Sequence, residues 1–204
     1  RRQINGTELY YKIIGEGRPI VILHGGPGLD QSYMLPQMGK LAEHFQLIFF
    51  DQRASGRSAA DVDSNSMTLN QFIEDIESLR KEFKLDKMNL MGHSWGGLLA
   101  MQYAIKYPDY LNTLLLVNPT AASSAFRNQA FKTMGARTTR QDSLDNALIV
   151  QTEAFKNRDP EAMSKFFRIL FRGSFFDRRL ADSLTLVFDQ NYAAHSRTMK
   201  YLYK

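Results

Sequence analysis

The segment Gly92-His93-Ser94-Trp95-Gly96-Gly97 constrains this chain more than any other. It follows a strand-like run at residues 88–91 and opens a helix pattern that Pro108 stops. A Gly-x-Ser-x-Gly turn between strand and helix holds its serine in a strained backbone conformation, and flanking glycines remove side chains that would collide. The hydroxyl is lifted clear of the sheet and set near a helix N-terminus, where peptide dipoles favour developing negative charge. Ser94 is therefore the candidate nucleophile. A glycine-rich packing turn with an incidental serine is the alternative, and the strand–turn–helix placement argues against it.

The surrounding pattern supports that placement. Residues 8–14, 20–23, 47–50 and 114–117 also read as strands, three of them ending in continuous apolar runs that suit a parallel sheet buried on both faces. Between them lies a helix pattern from Thr68, with Leu69, Phe72, Ile73, Ile76, Leu79 and Phe83 spaced three or four apart and Gln71 placed for a capping box. A second helix is expected from Trp95 to about Tyr107. The order strand, helix, strand, helix predicts an α/β fold with a mostly parallel sheet and flanking helices. In such folds ligands bind at the carboxyl ends of the strands.

Charge and glycine divide the chain in two. Residues 1–119 carry 12 Lys+Arg against 13 Asp+Glu, and residues 120–204 carry 14 against 8. Eleven of the 13 glycines and five of the six prolines precede residue 120. Turn-rich strands thus give way near Asn118-Pro119 to a basic helical segment, read as a lid or cap. Its apolar patterns fall at 147–155, 163–171 and 180–188, with Asp159-Pro160 starting a helix. Phe166, Phe167, Phe171, Phe175 and Phe176 form core or line a pocket, and Arg168, Arg172, Arg178 and Arg179 read as a solvated face. No repeat or low-complexity tract appears.

Several classes of function are excluded. With no cysteine there is no disulfide framework, thiolate metal site or cysteine nucleophile. No apolar run approaches the roughly 18 residues of a membrane span, so no membrane partner is expected. The basic excess lacks a nucleic-acid reading module, so no nucleic-acid partner is expected either. A dinucleotide site fails because Ser94 stands where its fingerprint needs the second glycine. Neither a cofactor nor a metal is called for. The first residues are too polar for a signal peptide; a cleaved one leaves no trace, so the compartment stays open, with the cytoplasm favoured.

Two further strand ends carry chemistry. His24-Gly25-Gly26-Pro27-Gly28 follows the run 20–23. A serine that transfers acyl groups needs two N–H donors for the tetrahedral oxyanion. Trp95 N–H, next after the nucleophile, is one, and Gly26 N–H in the earlier glycine loop is the favoured second. Gly25 is a candidate substrate contact, and His24 is expected to brace the loop rather than react. Asp51-Gln52-Arg53-Ala54-Ser55-Gly56-Arg57-Ser58 follows 47–50, and its polar side chains are expected to tie down neighbouring loops.

HGGPG, DQR-x-x-G-x-S and G-x-S-W-G-G, in this order and spacing, resemble the α/β-hydrolase superfamily, and within it the proline iminopeptidase-like serine peptidases. The resemblance covers residues 1 to about 119 and implies the fold, a Ser94 acyl-enzyme, an oxyanion pair at Gly26 and Trp95, and release of N-terminal residues, preferably proline, from peptides. Ala54 replaces the family's glycine after DQR. The family holds the substrate amine with lid carboxylates beside a Trp-rich motif, whereas this chain has Trp95 alone. Glu153 is the candidate for that contact, with Glu161 beside it, although both also read as solvated helix residues.

The superfamily places an acid and then a histidine after the nucleophile, each following a late strand. Only His195 follows Ser94, and Asp189 six residues before it leaves no room for a strand and crossover between them. They are weak candidates. His93 is turned away from Ser94 by the elbow, and His44 reads as surface. The expectation is therefore a C-terminally truncated form, nearly inactive alone, of a serine hydrolase acting on a small molecule or short peptide. The alternatives are a carboxylesterase of small esters and a non-catalytic binding protein of the same fold. Oligomeric state is not encoded in any motif.

Overall fold

The apolar runs become strands where their residues find cover on both faces of one sheet. The computed structural model describes residues 1–59, 62–188, 198 and 200. The chain divides into two compact units, Arg1–Thr120 with Gln190–Lys204, and Ala121–Asp189. In the first unit, β1 (Arg2–Ile4) and β2 (Thr7–Leu9) form a hairpin, and β3 (Tyr11–Ile14), β4 (Pro19–Leu23), β5 (Gln46–Phe50), β6 (Met88–His93) and β7 (Leu111–Val117) form the main sheet. Its order is β3-β5-β4-β6-β7; β3 runs antiparallel to β5, and every other neighbouring pair is parallel.

Alternation sorts the side chains. Val21, Leu23, Ile48, Phe50 and Leu90 face a core closed by α2 (Leu69–Glu82) and α3 (Trp95–Lys106), through Phe72, Ile76, Leu79, Leu99 and Tyr103. Ile20, Ile22, Leu47, Phe49 and Met91 face the other way, against Met34, Leu41 and Phe45 from the segment containing α1 (Leu35–Met38). Burial on both faces is why these strands read as unbroken apolar runs.

Two local expectations are corrected. The single strand at 8–14 is interrupted at Tyr10, whose carbonyl accepts from Asp51 N–H (2.9 Å) and whose N–H donates to Ser58 Oγ (2.9 Å). The loop after β5 takes the groups a strand neighbour would have used. The capping box at Thr68 is half formed: Thr68 Oγ1 accepts from Gln71 N–H (3.3 Å), but Gln71 Oε1 accepts from Asn5 Nδ2 (3.0 Å) instead of reaching back.

The second unit is helical, with α4 (Ser124–Arg137), α5 (Arg140–Gln151), α6 (Glu153–Lys156) and α7 (Pro160–Phe171). Side chains of Ser123, Thr139, Thr152 and Asp159 cap their starts, and Pro160 stands in the first turn of α7, where a missing N–H costs nothing. The expected third helical pattern at 180–188 is instead a 3-10 turn, Arg178–Ser183, followed by irregular chain. Arg168 binds the Leu184 carbonyl through Nε (3.2 Å) and Nη2 (3.0 Å), an acceptor that a continuing helix would need. No strand forms at 184–188.

The arginines also depart from a solvated face. Arg172 pairs with Asp145 at 3.2 Å and Arg178 with the buried Asp142, so both fasten helices together, and only Arg179 stands in solvent. Phe166 and Phe167 join an aromatic cluster with Phe155 and Phe188, whereas Phe176 is fully exposed. Among the described residues, no helix is long and apolar enough to cross a membrane.

Candidate active site

Ser94 sits between β6 and α3 with φ 53° and ψ −117°, a conformation that costs a non-glycine residue about 1–3 kcal/mol. The surrounding backbone holds it there. Ser94 N–H donates to the Val117 carbonyl of β7 (3.2 Å), and the Ser94 carbonyl accepts from Gly97 (3.0 Å), Leu98 (3.2 Å) and Thr120 (2.9 Å). Close packing permits no side chain at Gly96, where a Cβ would stand 2.4 Å from the Leu23 carbonyl oxygen and 2.6 Å from that of His24. Both obstacles are backbone. Gly96→Ala is therefore expected to destabilise the fold by at least the ~1–3 kcal/mol typical of overpacking, read as a lowered urea midpoint.

The glycine loop after β4 lies over this turn. A Cβ on Gly25 would come within 3.1 Å of Ser94 Cβ and 2.8 Å of Tyr33 Oη, so glycine is what lets the loop approach the serine. Gly25 is pinned at both ends. Its N–H donates to Tyr33 Oη (2.6 Å), and its carbonyl accepts from His24 Nδ1 (2.7 Å). That role of Nδ1 follows from the other ring nitrogen, since His24 Nε2 accepts from Gln52 N–H (3.0 Å). A trans peptide points its C=O and N–H in opposite directions. The bond from His24 to the Gly25 carbonyl therefore turns the Gly26 N–H the opposite way. Gly26 N–H and Trp95 N–H have no hydrogen-bond partner among the described residues.

His24 is thus the brace that the sequence suggested, fully buried and held on both nitrogens. Tyr33, which no sequence motif marks, accepts from Gly25 N–H through its hydroxyl and hydrogen-bonds His93 Nδ1 (2.7 Å) through the same group. No spacing rule marks Tyr33. Only the fold brings it back to the loop eight residues upstream.

The segment after β5 ties the loops together. Asp51 accepts from Gln31 N–H (3.0 Å), Gln31 Nε2 (3.1 Å) and Arg57 N–H (2.9 Å). Gln52 binds both the His24 carbonyl and the Trp95 indole. Arg53 makes a bidentate pair with Asp75 of α2 (2.7 and 2.6 Å). Ala54 is buried with φ 53°, so a Cβ is carried where glycine is unstrained.

Burial pushes the His24 pKa below the ordinary 6.5, against the nearby Asp51 charge, and burial with the neighbouring His24 does the same to His93. The unfolded chain binds protons at these rings from about pH 6.5 downward, whereas the folded chain stays neutral there. Stability is therefore expected to fall as pH drops through 6.5 toward the depressed folded values. Carboxylates such as Glu74, held below its usual 4.5 by Lys106, add their loss only at lower pH. Urea unfolding at pH 7.5, 6.5 and 5.5 reads the slope, and His93→Gln is expected to reduce it.

Glu153 and Glu161 each pair with a lysine one turn along their own helices, Lys156 (2.7 Å) and Lys165 (2.9 Å), with both carboxylates largely exposed. His44 is exposed. Asp189 and His195 lie outside the described residues. None of His24, His44 and His93 carries an ion pair with a carboxylate among the described residues. Nor do three or more His, Asp or Glu side chains gather there as a metal site.

Comparison with known proteins agrees with this geometry. A family model described as the alpha/beta hydrolase fold matches residues 18–186. A proline iminopeptidase of Saccharolobus solfataricus is 39% identical over 119 residues, covering 56% of this chain and 38% of that protein. Another, from Clostridioides difficile, is 34% identical over 130 residues, covering 61% and 44%. The chain thus spans less than half the length of these relatives. Among solved structures, a meta-cleavage product hydrolase from Pseudomonas fluorescens aligns at TM-score 0.63 and 18% identity, over 98% of this chain and 70% of that one. An epoxide hydrolase from Bacillus megaterium aligns at 0.61 and 19%, over 98% and 66%. At such identities the likeness is one of fold. Serine turn, glycine loop, sheet order and matched segment together place the chain: it belongs to the alpha/beta hydrolase fold family.

Proposed function

We propose that the chain contributes the nucleophile and both oxyanion donors of a serine hydrolase that releases N-terminal residues, preferably proline, from peptides. The observation that carries the reading is Ser94 at φ 53° beneath the Gly25–Gly26 loop, flanked by two N–H groups that have no partner among the described residues. In this reaction Ser94 Oγ attacks the peptide carbonyl and its proton passes to a general base. Gly26 N–H and Trp95 N–H take the negative charge on oxygen, the C–N bond breaks with the amine leaving protonated, and water then hydrolyses the ester on Ser94. The preference for proline rests on the named relatives over the segment that bears these motifs. The base and its orienting acid are assigned to residues outside those described, because the described histidines are committed elsewhere or exposed.

Protection of Ser94 tests the substrate class. The chain is treated with a fluorophosphonate in the presence of prolyl-naphthylamide or of a short-chain nitrophenyl ester. The proposal expects the prolyl amide to slow adduct formation at Ser94 more strongly. Protection by the ester alone favours an ester hydrolase, and protection by neither favours a binding protein of the same fold.

A further inference from the structure

At the carboxyl edge of the sheet, β5 and β6 are separated by β4, so two strand spacings of roughly 4.8 Å lie between the Asp51 segment and the serine turn. Gln52 bridges that gap. Its backbone N–H donates to His24 Nε2 (3.0 Å), its side-chain Nε2 donates to the His24 carbonyl (2.7 Å), and its Oε1 accepts from Trp95 Nε1 (3.0 Å). The residue is 1% exposed, so water does not compete for these bonds. A glutamine amide offers a donor and an acceptor on one rigid plane. Asparagine is a methylene shorter, and methionine has neither group.

One end of Gln52 therefore holds the residue that orients the Gly25–Gly26 peptide, and the other holds the residue whose own N–H is the second donor. We infer that Gln52 is a positioning residue that couples the two oxyanion donors, fixing the glycine loop against the serine turn through a single side chain. The chemical consequence rests on the serine-hydrolase reading above; the mechanical coupling does not. Oxyanion donors act only when held about 2.7–3.1 Å from the developing charge, and losing one costs about 10²–10³ in rate. A loosened donor loses less.

The test compares wild type, Gln52→Met, Trp95→Phe and the double variant by two readouts. The first is the Gly26 amide resonance, read against an added chemical-shift standard; in wild type and Gln52→Met, which keep the chain's single tryptophan, the indole N–H reports loss of its bond to Gln52. The second is phosphonylation of Ser94, in which the serine oxygen bonds phosphorus and fluoride leaves, resolved into reversible binding and the bond-forming rate constant. Trp95→Phe, which keeps an aromatic ring in the core beside Phe72 but removes the indole donor and part of that ring's volume, is expected to shift the Gly26 amide on the other segment. Gln52→Met is expected to slow bond formation about ten- to hundredfold with binding changed less than about twofold, and the double variant to be no slower than the slower single one. A Gly26 amide unmoved in Trp95→Phe overturns the coupling, as do losses that multiply in the double variant. If Gln52→Met fails to fold, Trp95→Phe alone decides. If wild type forms no adduct at Ser94, the hydrolase reading fails, and the Gly26 amide still settles whether Gln52 couples the segments.

Discussion

Replacing Arg53 by methionine is expected to lower the unfolding free energy by about 3–5 kcal/mol, the usual cost of stranding one member of a buried ion pair. Arg53 and Asp75 are each 2% exposed in their side chains and are joined by two hydrogen bonds, at 2.7 and 2.6 Å. Two further guanidinium donors go to the carbonyls of Ser66 (3.2 Å) and Asn5 (3.3 Å), so one side chain fastens α2, the β1–β2 hairpin and the loop after β5. Without Arg53, the Asp75 carboxylate keeps only the Asn5 amide (2.9 Å) and must be protonated or hydrated in a site closed to water. The pair itself is not worth that sum, because two desolvation penalties offset its attraction. The double variant Arg53→Met/Asp75→Leu is therefore expected to recover most of the loss. Urea unfolding of both single variants and the double closes the cycle; a double variant as unstable as the two single losses added contradicts the account.

The second large effect concerns turnover. The 204-residue chain is expected to hydrolyse nitrophenyl esters about 10⁶-fold more slowly than an enzyme with a complete triad, and Ser94→Ala is expected to change that rate little. Nucleophile and base act as one unit, and no histidine among the described residues is free to act as base, so removing the serine is expected to cost little more. Oxyanion donors alone sustain about 10³–10⁴-fold over water. Rapid turnover that vanishes in Ser94→Ala contradicts this expectation and places a working base within the chain, with His195 as the first residue to replace.

The parts legible in the sequence were those with one physical cause. Residues 20–23 and 47–50 read as strands because both faces of the sheet are covered, and the α2 stripe reads as a helix because one face is. The turn at Ser94 was legible because the glycine before it and the two after Trp95 leave few backbone solutions. The break at Tyr10 was not, because it depends on Ser58 and Asp51 returning to the strand from far along the chain. For the same reason the motif His-Gly-Gly identified the glycine loop but not what holds it. The roles of His24, Tyr33 and Gln52 are set by which group meets which ring nitrogen, and spacing carries no record of that. Residues 180–188 misled because an apolar pattern of period 3.6 does not show that Arg168 takes the Leu184 carbonyl. The basic charge of the second unit misled likewise, since counting arginines does not reveal that Arg172 and Arg178 close on Asp142 and Asp145.

Ser94 is proposed as the reactive serine, strained and flanked by two oriented N–H donors. Its most direct test is the site of covalent attachment after prolonged reaction of the purified chain with a fluorophosphonate, read by mass on the peptide containing residues 92–97. A single adduct on Ser94 is expected, formed slowly because no described histidine is free to act as its base, yet well ahead of any other serine, and absent from Ser94→Ala. An adduct spread evenly over the chain's serines, or one undiminished in Ser94→Ala, would contradict it.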